Sequence, residues 1–258
     1  MGSQTYRRRA LVLKKTKLGE SDIICSLLAE DGSQIRAIAK GARKPSSTFA
    51  SRLELFSACD LLLVKGRSLD IVKEARLHES NAELRNSFER TEAASPIVEL
   101  LERATLSSLE SPRLYPLTMK ALSYLCNCSK NQALTFTVAC LLKAVSFLGF
   151  KPEFRECISC GAHHIIDDSI QAGLPVAFSV LEGGIVCKNC RSLVETIDYS
   201  SNLLRWAELF LYSDFETIGT FEIEHKTQIM LLRFIQAWIK HHIGSNLKSL
   251  TFLFTYDL

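Results

Sequence analysis

The chain has 258 residues, 47% apolar and 23% charged, enough for one large or two modest cores, and no biased tract points to disorder. Its formal net charge of +3 is too small to name a partner. Nine cysteines, an odd number, fit poorly with a closed disulfide framework and point to a reducing, cytoplasmic compartment.

Arg7-Arg8-Arg9 precedes only the short apolar piece Ala10 to Leu13, well below the h-region of a signal peptide, so export is not expected. From Ala10 to about Ala75, runs of apolar and β-branched residues alternate with turn chemistry. Ala10 to Leu13 leads to Leu18-Gly19-Glu20-Ser21-Asp22, and Ile23 to Leu28 leads to Glu30-Asp31-Gly32. Gln34 to Ala39, Cys59 to Val64 and Leu69 to Lys73 follow, the last after Lys65-Gly66-Arg67-Ser68. Five short strands are predicted. Ser33 to Ala39 alternates polar and apolar, as a strand with one wet face should. Five antiparallel strands in about 70 residues suit an OB-type barrel, with an SH3-like barrel as the rival. The polar stretch Gly41 to Phe56 reads as a long loop, a feature that is usually functional or disordered.

Past Ala75 the periodicity changes. Ser80-Asn81-Ala82-Glu83 offers a capping box, and Leu84, Phe88, Ile97, Leu100, Leu101, Ala104 and Leu109 recur mostly at helical spacing, with Pro96 marking a kink or a fresh start. Pro112 and Pro116 introduce a helix to about Cys126, and Asn131 opens a strongly apolar one that ends at Gly149. Its apolar run, Leu134 to Phe150, is broken by Lys143 and too short to span a bilayer. Further helices are predicted near Leu203 to Leu211 and from His225 to Ile243, closed by Gly244. The tail Lys248 to Tyr256 fits helix or strand. The fold class is therefore α+β: a barrel domain over residues 1–79, then a helical domain over residues 80–258 that carries a zinc-ribbon insert at about 152–191.

That insert holds Cys157-Ile158-Ser159-Cys160 and Cys187-Lys188-Asn189-Cys190, two C-x-x-C pairs 26 residues apart. Two thiolates spaced this way turn a knuckle around one ion, and two knuckles complete the all-thiolate tetrahedron that Zn²⁺ prefers. Gly161, Gly173-Leu174-Pro175 and Gly183-Gly184 suit the turns of a small ribbon. With four thiolates bound, no position is left for a water nucleophile, so one structural zinc is expected at Cys157, Cys160, Cys187 and Cys190. His163 and His164 are expected to be exposed polar residues of the ribbon. The other cysteines, Cys25, Cys59, Cys126, Cys128 and Cys140, sit in apolar segments and read as core.

Residues 1–80 hold 15 Lys and Arg against 9 Asp and Glu, a balance of +6, while the other 178 hold 16 against 19, a balance of −3. The basic charge falls mainly on strand starts and loops, including Lys17. The residues expected to meet nucleic acid are Arg7, Arg8, Arg9, Lys14, Lys15, Arg36, Lys40, Arg43 and Lys44. Tyr6, Phe49 and Phe56 are the only aromatics of this stretch, which argues against a groove rich in stacking. No phosphate-binding glycine loop, dinucleotide fingerprint, H-E-x-x-H or nucleophile elbow occurs, so no catalytic residue can be nominated and a non-enzyme is expected. Two other readings use the same residues. One is a zinc-ribbon subunit whose barrel binds RNA or protein; the other is a thiol-dependent enzyme acting through Cys157 or Cys187.

Several ordered pieces resemble the bacterial RecO family of recombination mediators. They are Ala10 to Leu13, Gly19 to Asp22, Asp31-Gly32, Ala39-Lys40-Gly41-Ala42-Arg43, Cys157 to Gly161, Phe178-Ser179, Gly183 to Cys187 and Leu247-Lys248-Ser249. The resemblance implies an OB-fold domain, a helical domain and a four-cysteine zinc site. It implies a protein that binds single- and double-stranded DNA, anneals complementary strands and helps load a recombinase onto coated single strands. The implied partners are a RecR-like protein and the C-terminal tail of the single-strand-binding protein, with no membrane. In this resemblance Lys40 and Arg43 match the basic strand-loop signature, and the four cysteines match the zinc positions.

Overall fold

The computed structural model describes residues 4–163 and 173–256. Compactness divides the chain into residues 1–133 and 134–258. In the first unit, five strands close a barrel in the order β1-β2-β3-β5-β4: β1 Thr5–Leu18, β2 Asp22–Ala29, β3 Gln34–Ala39, β4 Ala58–Val64 and β5 Asp70–Glu79. Neighbours are antiparallel except β3 and β5, which meet in parallel over Ala37 with Asp70 and Ile38 with Ile71. This is the OB Greek-key order. Glycines shape the first two connections: Gly19 (φ +57°) turns β1 into β2, and Gly32 (φ +81°) turns β2 into β3.

Strand parity explains the core. Ala10, Val12, Cys25, Leu27, Ile35, Ala37, Ala39, Leu61, Leu63 and Val72 point inward and pack together. A register shift between Val12 and Lys14 lets Leu13 be buried as well, and it sets Lys14 beside Ser26 and Lys15 beside Cys25. The polar stretch Gly41 to Phe56 contains a short helix, α1 (Phe49–Arg52), which plugs one barrel end: Phe49 packs on the core, Leu53 is fully buried, and Arg52 donates to the Ala75 carbonyl at 2.9 Å.

The capping box expected at 80–83 does not form, because Asn81 sits in the left-handed region (φ +44°) and spends its amide on the Phe56 carbonyl at 2.8 Å. Only a single turn, α2 (Ala82–Arg85), follows. The long helix α3 (Phe88–Ala104) is capped instead by Ser87, whose hydroxyl accepts from the Arg90 N–H at 3.3 Å, and it runs through Pro96. It ends before Leu109, which is exposed. Within the unit α3 lies on the barrel: Lys14 pairs with Glu102 at 3.0 Å, and the Gln34 amide donates to the Glu102 carbonyl at 2.7 Å. The 105–113 connection is pinned to the β2–β3 turn by Ser111 N–H to the Asp31 carbonyl at 3.0 Å and Gln34 N–H to the Leu106 carbonyl at 3.1 Å. Helix α4 (Leu114–Asn127) follows.

Helix α5 (Lys130–Phe147) carries most of the apolar run, and no helix among the described residues is long and apolar enough to cross a membrane. In the second unit the Lys143 ammonium donates to the Leu211 and Ser213 carbonyls at 2.8 and 2.7 Å. It thereby caps the C-terminal end of α6 (Ser201–Tyr212). Strands β6 (Pro175–Ser179), β7 (Gly184–Ile185) and β8 (Ile197–Ser200) form a sheet in the order β7-β6-β8. A short helix α7 (Phe215–Ile218), absent from the sequence reading, precedes α8 (His225–His242). The tail is a helix, α9 (Lys248–Tyr256). Phe154, Phe178, Tyr199, Phe234 and Trp238 form one aromatic cluster, with Phe178 5.3 Å from Phe234 and 6.0 Å from Trp238 between ring centroids. It ties the small sheet to α8.

Candidate metal centre and nucleic-acid interface

Each C-x-x-C pair sits in a tight turn. Cys157 N–H bonds the Ala162 carbonyl and Gly161 N–H the Cys157 carbonyl, both at 2.8 Å, while Cys190 N–H reaches the Cys187 carbonyl at 3.1 Å. Gly161 takes the positive φ (+70°) that the first knuckle needs. Ile158 N–H to the Ile185 carbonyl and Val186 N–H to the Ala177 carbonyl hold the two turns to one sheet. The four Sγ atoms lie within 4.8 Å of one another, and Cys160 Sγ is 3.8 Å from Cys187 Sγ. A tetrahedron with metal–sulfur bonds of about 2.3 Å has edges of about 3.8 Å, so the thiols fit a thiolate-bound metal. Cys157, Cys187 and Cys190 are buried beside Ala177 and Val186; Cys160 is exposed.

The electrostatics agree. Burial pushes the Cys157 thiol up, but N–H groups from Cys187, Ser159 and Cys160 outweigh it and bring the thiol down to about 6. Cys190 moves the opposite way, held up by hydrogen bonds with Cys187 and Cys160 and then by burial. A divalent ion would stabilise the thiolate form of all four. His163 faces Glu156 at 3.6 Å and is highly exposed, away from the quartet, and His164 lies outside the described residues. Of the remaining cysteines, Cys25, Cys59 and Cys140 are core residues, whereas Cys126 and Cys128 are only half-buried.

The nine basic residues are spread over the barrel. Arg7 and Arg9 point to the outer side of β1, β4 and β5. There they line a groove of about 990 Å³ shared with Arg76 and with the acids Glu30, Asp60 and Glu74. Arg9 is neutralised by Asp60 at 2.8 Å. Arg8 lies at the barrel mouth, 3.8 Å from Asp31. Lys15 pairs with Glu54 at 2.8 Å at the other end, where Arg43 donates to the Gly19 carbonyl at 3.0 Å.

Lys14 and Arg36 share one surface. Lys14 lies opposite Ser26 and Ser26 opposite Arg36, so the two cations flank β2 on the outer face, about 10 Å apart at two strand spacings. Lys40 and Lys44 follow at the end of β3, where the Asp22 carboxylate accepts the Gly41 N–H at 2.7 Å and the Ser21 hydroxyl at 2.9 Å. Those bonds hold the Asp22 carboxyl below its usual range. Arg7, Arg36, Lys40 and Lys44 have no acidic partner within 4 Å among the described residues. Sequence reasoning missed three residues of this surface: Ile24, Ile38 and Ile71, half-buried on the outer side of β2, β3 and β5. Their signal was strand alternation, which could be used only once the pairing was known.

The family model described as "Recombination protein O N terminal" matches residues 1–81, and "Recombination protein O C terminal" matches residues 85–251. Proteins of two Desulfitobacterium hafniense strains, DSM 10664 / DCB-2 and Y51, each named "DNA repair protein RecO", are 35% identical over 187 residues. That match covers 72% of this chain, which spans 65% of the length of those relatives. A Cutibacterium acnes protein of the same name is 35% identical over 211 residues, covering 78% of this chain and 82% of its own.

Proposed function

The chain belongs to the recombination protein O family, and on that premise we propose that it is a non-catalytic DNA-binding mediator of recombinational repair in the cytoplasm. In this reading residues 1–79 form the DNA-binding domain and residues 80–258 the helical one. The protein binds single- and double-stranded DNA, anneals complementary strands and helps load a recombinase onto coated single strands. Its partners are a RecR-like protein and the C-terminal tail of the single-strand-binding protein.

One observation carries the reading: an OB barrel exposes Arg36, Lys40 and Lys44 together, with no carboxylate within 4 Å of them among the described residues and only Asp22 nearby at longer range. Cations of this kind attract phosphates and release counterions. Held on such a surface, two polyanionic strands repel each other less and meet at higher local concentration, so pairing needs no nucleotide hydrolysis. The four cysteines would hold one Zn²⁺ that braces the knuckles; with all four positions filled by sulfur, no site remains to activate water.

The test is annealing of two complementary oligonucleotides by the full chain, with and without the coating protein, across salt, with an RNA pair alongside. Annealing of DNA that weakens with salt, and that is lost when Arg36, Lys40, Arg43 and Lys44 are reversed to Glu, is the expected result. Undiminished annealing by that variant, or a preference for RNA, refutes it.

A further inference from the structure

The open barrel face has an unusual chemistry for an OB surface. Single-strand binders of this fold commonly pair a cationic groove with aromatic rings on which bases stack. Here β1 to β5 and the loops 19–21, 40–48 and 65–69 contain no Phe or Trp, one Tyr, Tyr6, and one His, His78, seven positions along β5 from Ile71. Tyr6 is committed elsewhere. It points into the barrel mouth, its hydroxyl is bonded to the buried Asp70 carboxylate, and Arg8 and Lys65 stand 5.9 and 5.8 Å from its ring centroid. Phe49 packs on the core and Phe56 is fully buried.

What the outer face presents instead is a floor of half-buried Ile24, Ile38 and Ile71, with Lys14, Arg36 and Lys40 around it. Branched aliphatic side chains offer dispersion contacts to sugars but no flat π-surface to compete with base pairing. Of these cations Arg36 and Lys40 have no carboxylate within 4 Å among the described residues and can meet phosphates, whereas Lys14 is paired with Glu102.

We infer that this face holds a strand by its phosphates over an aliphatic floor and leaves the bases unstacked and outward, ready to pair. The inference rests on the DNA-binding reading above and specifies its ligand: the sugar–phosphate backbone, irrespective of base. A stacking groove must give up its bases before a complement can pair, whereas a strand held backbone-first has them free.

The test measures binding of the full chain, by fluorescence anisotropy at one salt concentration, to a thymidine oligonucleotide and to one of equal length whose central stretch is abasic. One stacked base is worth roughly 5- to 150-fold in affinity. The expected result is binding of the two oligonucleotides within about threefold of each other, because less than one base's worth of stacking is at stake; a larger loss on the abasic oligonucleotide overturns the inference. A second variant keeps the test anchored to this face. Ile38→Trp supplies the missing ring and is expected to tighten thymidine binding by about fivefold or more while leaving abasic binding unchanged. No gain in a folded Ile38→Trp protein also overturns the inference. If neither oligonucleotide is bound by the wild-type chain, the DNA-binding reading itself falls.

Discussion

Salt dependence separates the neutralised cations from the open ones. Arg36 and Lys40 have no acidic neighbour within 4 Å among the described residues, whereas Arg9 and Lys15 are each 2.8 Å from a carboxylate. Each phosphate neutralised on a single strand contributes about 0.7 to the slope of log affinity against log salt. Replacing Arg36 and Lys40 together by Gln should therefore flatten the slope by about 1.4. Between 50 and 200 mM salt, the affinity of this variant should fall about sevenfold less than that of the wild type. Replacing Arg9 and Lys15 by Gln removes the same formal charge but no phosphate contact, so the slope should stay within about 0.3 of wild type. Anisotropy titrations at four or five salt concentrations, with thermal melts to confirm folding, give both slopes. Equal flattening in the two double variants would refute the division into paired and open cations.

Gly32→Ala should destabilise the first unit by about 2 to 4 kcal/mol, seen as a lower urea midpoint at unchanged m. A Cβ there would stand 1.9 Å from the Ser111 carbonyl oxygen on a backbone at φ +81°, so the Asp31–Ser111 pin must break. Metal analysis should find about one zinc per chain, and Cys157→Ser should lower that content; a metal-free, fully folded wild type would refute the site. His242 is pulled below its usual range by burial and the neighbouring His241, against a 2.9 Å bond to the Val180 carbonyl. Its stabilising effect is present above the unfolded value of about 6.5 and is lost as pH falls through the lower folded value. Melting temperatures should drop between pH 7.5 and 5, and less so in His242→Phe; equal drops would remove His242 as the cause.

Sequence periodicity located all five barrel strands because their inward residues are apolar and their turns carry glycine. It missed the ends of β1, Thr5 to Arg9 and Lys14 to Leu18, where charges sit on both sides of the strand and hide the alternation. A helix does start within 80–83, at Ala82, but its capping box does not form because the Asn81 amide bonds the Phe56 carbonyl, so α2 is a single turn and the long helix α3 is capped by Ser87. The cysteine quartet was legible in full, since each C-x-x-C is a local turn and the spacing alone specifies two knuckles. The basic surface was legible only as composition. Which cations remain open depends on acids 39 to 88 positions away, Glu54 for Lys15, Asp60 for Arg9 and Glu102 for Lys14, and no local pattern encodes those meetings.

Only two parallel rungs, Ala37 with Asp70 and Ile38 with Ile71, join β3 to β5. The β1–β2–β3 meander and the β4–β5 hairpin pair near neighbours in sequence, whereas this junction joins residues 33 positions apart through two rungs alone, the weakest seam of the cylinder. A seam this short is expected to open more readily than the others, so amide hydrogens there should exchange ahead of those in the long β1–β4 ladder. Since Ile38 and Ile71 also form part of the open floor, a strand lying across them would act as a clasp and slow that exchange.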